Sequence, residues 1–222
     1  MSENQTLDFI PYSNILKLID FKKDRPFVSY YTSELISVID ETINCNPPDL
    51  EVATLAFEEL KAFRKNKIAL KRAYSIIRKS RNSLIKWLPE ARNLIKEIPK
   101  CKEGKSTLYV ILRGGYTLKH HYYGVYIGQT SKTPEQRFNE HKSGCRDARG
   151  IKKNGIQLLR SLYWKWSGIS GIKKIKLTAE SVLNVCLNES LNTLKVTGDV
   201  EYPLDGWGRK YLKLKNKILD KD

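Results

Sequence analysis

Residues 126–141 read YIGQTSKTPEQRFNEH, and the stretch falls into two parts. Its first residues close the run YYGVYIGQ (122–129), whose β-branched and aromatic content predicts a strand. Thr133 then offers a side-chain N-cap, Pro134 suits a first helical turn, and TPEQRFNEHK predicts a helix, with Gly144 just beyond it. Arg137 and His141 stand four residues apart, so they share one face of that helix. Upstream, Ser106–Arg113 (STLYVILR) predicts a partner strand. Gly114-Gly115 and the polar His120-His121 fall in the connection, so the two strands are expected to form an antiparallel hairpin. Tyr109 and Tyr126 then lie on adjacent strands and can face one side. Packing the helix on that side brings two phenols, a guanidinium and an imidazole together.

Further along, a second helix is expected over Ile156–Trp164 and a third strand over Lys173–Leu177 (KKIKL). Thr178 is placed to cap a helix from Ala179 to about Leu194. The linker PKCKEGK (99–105) is polar and carries a turn residue, so it marks a boundary. Ahead of it, residues 1–31 hold aromatics without a clean period, and Thr32 or Ser33 can cap a helix reaching Ile43. Pro47-Pro48 break the chain and Asp49 caps the next segment. From Leu50 to Trp87 apolar residues recur at helical spacing, and Pro89 suits a short helix through Ile95. The expected architecture is α/β: an all-helical region over 1–98, then a small domain over 106–222. That domain is a short antiparallel sheet flanked by helices, with a basic tail.

The chain has 222 residues, 41% of them apolar, which suffices for a packed core and argues against a disordered chain. No apolar run approaches the roughly 20 residues of a membrane helix, and the polar start MSENQTLDF is not a secretory signal. Four scattered cysteines without a CxxC pair speak against a disulfide framework or zinc site and for reduced thiols in a cytoplasm. With 40 basic and 24 acidic residues the formal charge is +16, a statement about partners rather than fold. Residues 60–100 hold 13 Lys/Arg against only Glu90 and Glu97, and a second basic stretch runs from Lys142 to Lys165. Tyr74, Trp87, Tyr163, Trp164 and Trp166 lie among these charges, a mixture suited to nucleic acid. The plainer reading is a set of solvated lysine-rich faces.

The segment over about 106–195 resembles the GIY-YIG nuclease family. Tyr126-Ile127-Gly128 followed by Thr130 matches the YIG element, and Arg137 with His141 matches the family's RxxxH helix. The GIY element maps onto Thr107-Leu108-Tyr109, where the tyrosine alone is retained. The resemblance implies phosphodiester hydrolysis of DNA with Mg²⁺ (or Mn²⁺), with Tyr109 near the attacking water and Tyr126 supporting it. Arg137 would sit on the phosphate, where a guanidinium can donate two hydrogen bonds, and His141 would assist proton transfer. The family holds its metal on one carboxylate of its last helix. Glu180 lies in line with the apolar stripe Leu183, Leu187, Leu191 and Leu194 and precedes Asn192 by 12 residues, a spacing similar to the family's glutamate–asparagine pair. Glu189 lies on the opposite helix face but deeper in the helix, where the family places its glutamate. The implied protein is a DNA endonuclease of restriction or mobile-element type, with the helical region holding DNA, making a homodimer, or both. The alternative is a nucleic-acid-binding protein that keeps the fold without catalysis. Each site residue also has an ordinary reading: half-buried strand tyrosines, Arg137 paired with Glu140 or Glu135, His141 at a helix end.

Overall fold

The computed structural model describes residues 19–97, 103–116, 122–145, 150–166 and 194–197. The chain divides into two compact units between Leu84 and Ile85. This division falls ahead of the expected boundary at 98, and it assigns the helix at 88–97 to the second unit. Lys165 accounts for part of that assignment, because its ammonium donates to the carbonyls of Ile95 and Lys96.

The first unit carries helices α1 (Thr32–Asn44), α2 (Leu50–Glu58) and α3 (Lys67–Lys79). Tyr31, not Thr32, is the N-cap of α1, and its backbone N–H donates to the Glu34 carboxylate at 2.6 Å. Asp49 caps α2 as expected, accepting from the Val52 N–H. The helical periodicity of 50–87 is not one helix. A π-helical turn over Glu59–Arg64 follows α2, Lys65 adopts a left-handed φ of 52°, and Asn66 starts α3 by accepting from the Ile68 and Ala69 N–H groups. The side chain that satisfies these free N–H groups is what restarts the helix, and apolar spacing does not record it. Phe27, Leu35, Ile39, Ile43, Leu50 and Leu60 form the buried core. Glu59 is buried in the π turn and is held by Arg25 at 2.6 Å and by Arg64 at 3.1 Å. Arg64 also donates to the carbonyls of Val28 and Tyr30, so this charge cluster ties the chain at 25–30 to the π turn.

The second unit opens with α4 (Leu88–Glu97) and contains a four-stranded mixed sheet in the order β3-β1-β2-β4. Strands β1 (Glu103–Arg113) and β2 (Gly124–Thr130) form the expected antiparallel pair, with Tyr109 opposite Gly128 and Ile111 opposite Tyr126. Leu108 to Leu112 are buried residue after residue, as a central strand covered on both faces requires. Two expectations fail. Residues 156–164 are not one helix: β3 (Gly155–Leu158) pairs antiparallel with β1 and is followed by the short helix α7 (Arg160–Tyr163). Gly155 stands at the switch from helix to strand. It terminates helix α6 (Ile151–Asn154) in an extended conformation, and a Cβ there would lie 2.7 Å from both Ile151 Cγ2 and the Ile151 carbonyl. Nor is the sheet purely antiparallel, since β4 (Lys195–Thr197) runs parallel to β2. Thr197 fastens it by donating to the Val125 carbonyl and accepting from Arg113. The expected strand at 173–177 and helix at 179–194 lie outside the described residues.

Candidate active site

Helix α5 (Pro134–Ser143) has the predicted ends, and they place its residues. Thr133 Oγ1 accepts from the Gln136 N–H while the Gln136 side chain accepts from the Thr133 N–H, a reciprocal capping box. Gly144, with φ 86°, stops the helix one turn after His141. The helix packs on β1, so its Arg137–His141 face meets the sheet face that carries Tyr109 and Tyr126.

Tyr109 and His141 are fully buried, and the Tyr109 hydroxyl shares a 2.9 Å hydrogen bond with His141 Nε2. The three rings form a cluster with centroid separations of 6.1 Å (Tyr109–Tyr126), 6.0 Å (Tyr109–His141) and 5.8 Å (Tyr126–His141). Arg137 lies close enough to the same hydroxyl for its charge to act on the phenol. Four of the expected site residues therefore converge. Gly128 makes room for them: a Cβ there would lie 2.5 Å from the Tyr109 hydroxyl and 3.0 Å from Tyr126 Cε1. The glycine of YIG is thus the floor under the two phenols.

Burial divides the four groups. Tyr126 and Arg137 are partly exposed, while Tyr109 and His141 are sealed beneath them. The buried His141 imidazole meets no solvent, and its Nε2 bonds the Tyr109 hydroxyl instead. Burial pushes the Tyr109 phenol far above the ordinary tyrosine range; Tyr126 adds to the rise, and Arg137 offsets part of it. At neutral pH the phenol keeps its proton.

Arg137 is held by a second partner. Its guanidinium donates to Glu140 at 3.0 Å, and the other Glu140 oxygen accepts from Lys132. Burial works against the Arg137 charge, but Glu140 and Tyr109 outweigh it and the guanidinium stays firmly protonated. Lys132 first, and Arg137 second, hold the Glu140 carboxyl below its usual range. The i,i+3 spacing of Arg137 and Glu140 allows their pairing to be read from the chain. Lys132 was missed: it stands in the turn before α5, eight residues from Glu140, where helical spacing gives no signal. The groove beside this chain of charges has a volume of about 550 Å³ and is lined by Lys132, Gln136, Asn139, Glu140 and Ser143.

The described side chains do not by themselves make a cation site. Glu140 has both oxygens engaged by cations, and no group of three or more His, Cys, Asp or Glu is clustered among the described residues. Glu180, Glu189 and Asn192 lie outside the described residues. No described helix is long and apolar enough to cross a membrane. Comparison with protein-family models, curated proteins and solved structures finds no match to this chain.

Proposed function

We propose that the protein is a DNA endonuclease of the GIY-YIG type that hydrolyses phosphodiester bonds with a divalent metal, Mg²⁺ or Mn²⁺, in a restriction or mobile-element defence role. The observation that carries the reading is the convergence of Tyr109, Tyr126, Arg137 and His141 on one hydroxyl-centred cluster, with Arg137 and Tyr126 at its accessible side. In this reading Arg137 binds a non-bridging phosphate oxygen, and charge-assisted bonds from a fixed guanidinium favour the extra negative charge of the transition state. Glu140 and Lys132 orient that guanidinium. Tyr126 faces the scissile group, and Tyr109 is fixed behind it by His141. The metal supplies Lewis-acid activation of water when bound, and Glu180 is the carboxylate assigned to it. DNA is the substrate, a cytoplasmic setting fits the thiols, and a homodimer would allow both strands to be cut.

Plasmid cleavage with Mg²⁺ tests the proposal. Wild type is expected to nick or linearise the plasmid, with EDTA abolishing the activity and Arg137→Ala and Glu180→Ala each reducing it by at least about 100-fold, the scale of losing one transition-state donor. Equal behaviour of all three proteins would sink the assignment. A second reading, binding without cutting, is favoured by the protonated, sealed Tyr109. It predicts salt-sensitive DNA binding with no Mg²⁺-dependent product.

A further inference from the structure

We infer that α3 of the first unit is a duplex-DNA docking helix, whose exposed face fits the major groove with basic side chains on both sides. This goes beyond the cleavage reading, because it concerns a separate unit and does not depend on whether the second unit cuts. Helix α3 has the sequence KIALKRAYSIIRK, with five basic residues and no acidic one. It buries only Ala69 and Ala73, while Lys67, Ile68, Lys71, Arg72, Tyr74, Ser75, Arg78 and Lys79 are exposed. At 3.6 residues per turn these sort into rows. Lys67, Lys71 and Arg78 run along one side of the exposed face, Arg72 and Lys79 run along the other, and Ile68 and Ser75 lie between them.

The charges on this face are uncommitted. Four other described cations are committed to carboxylates: Arg25 and Arg64 to Glu59, Lys132 and Arg137 to Glu140. Among the described residues, none of the five cations of α3 makes an ion pair or a side-chain hydrogen bond. A helix with its side chains is roughly 10–12 Å across and the major groove of B-DNA about 12 Å wide, so a seated helix has a phosphate strand on each side. Two flanking basic rows complement that arrangement. The row between them carries Ile68, 83% exposed at the start of the helix, an apolar contact of the kind that reads a thymine methyl. A-form RNA offers no such groove, because its major groove is deep and narrow. A membrane is the poorer partner, since the middle row holds one isoleucine and a serine rather than an apolar face.

The test uses the full chain and a labelled mixed-sequence duplex in EDTA, so that cleavage plays no part, with anisotropy read over a salt series. Wild type is expected to bind with a steep salt slope. Lys71→Gln/Arg72→Gln/Arg78→Gln is expected to lower that slope by roughly 0.9 for each phosphate no longer neutralised, hence by about two to three. Circular dichroism and the melting temperature are expected to stay at wild-type values, since these side chains are exposed. Lys67→Gln/Lys79→Gln, from the same two rows, is the second variant, and Lys152→Gln/Lys153→Gln, on the other unit, is the control. An unchanged slope in both α3 variants, or a reduced slope only in the control, overturns the inference. So does wild type that ignores duplex DNA but binds vesicles containing phosphatidylserine. Cleavage by Arg137→Ala in Mg²⁺ is scored separately, so failure of the nuclease reading and failure of this one are distinguishable.

Discussion

Replacing Gly128 with alanine puts a methyl group where the Tyr109 phenol now lies. The added Cβ would stand 2.5 Å from the Tyr109 hydroxyl and 2.6 Å from its Cζ, well inside van der Waals contact. The ring has little room to yield: Tyr109 is 1% exposed, and His141, which holds its hydroxyl, is fully buried. Overpacking of this kind costs about 1–3 kcal/mol, and losing the Tyr109–His141 bond adds about 1 kcal/mol. Gly128→Ala is therefore expected to destabilise the second unit by roughly 2–4 kcal/mol, a fall in Tm of about 4–16 °C for a chain of this length. Backbone conformation is not the cause, because Gly128 does not occupy the left-handed region. A double-mutant cycle isolates the ring. In a Tyr109→Ala background the cavity left by the phenol accepts the methyl, so Gly128→Ala should cost less than about 1 kcal/mol. The two changes would then show a coupling of about 2 kcal/mol in urea denaturation. An equal cost of Gly128→Ala in both backgrounds would refute the claim that this glycine exists to seat Tyr109.

Two further outcomes are expected from the same geometry. Glu59→Ala removes a buried carboxylate between Arg25 and Arg64; each side chain is about a third exposed, which lets its outer nitrogens meet water, while the Arg64 Nε that faces Glu59 is buried. The expected loss is about 1–3 kcal/mol in the first unit, below the 3–5 kcal/mol of a fully buried pair. Limited proteolysis or hydrogen exchange should show earlier opening at 25–30 and in the π turn than in the sheet; equal opening would discount the cluster. For Tyr109, the folded phenol titrates above the unfolded value of about 10, so its contribution is complete below that pH and disappears as pH rises past it. Stability measured from pH 8 to 11 should fall more steeply in wild type than in Tyr109→Phe, and parallel curves would contradict the burial argument.

Local rules account for much of what the linear chain foretold. Thr133, Pro134 and Gly144 bound α5 because capping and left-handed termination involve residues within a turn of one another. β-branched and aromatic content located β1 and β2, and i,i+4 spacing put Arg137 and His141 on one face. Other features lay beyond it. The segment 156–164 reads as one helix, but Gly155–Leu158 pairs with β1, a long-range contact that local spacing does not record. The parallel β4 depends on Arg113 and Thr197, residues 84 positions apart.

By itself, then, the sequence determined the residue types of the site, their order, and the hairpin and helix that carry them, because those follow from short-range propensity and spacing. Only the tertiary structure decided which of the four groups meets the solvent. It sealed Tyr109 and His141 and left Tyr126 and Arg137 accessible, and it committed Glu140 to Arg137 and Lys132. Burial and charge pairing are sums over everything packed nearby, so they come into being only when distant segments close around the site.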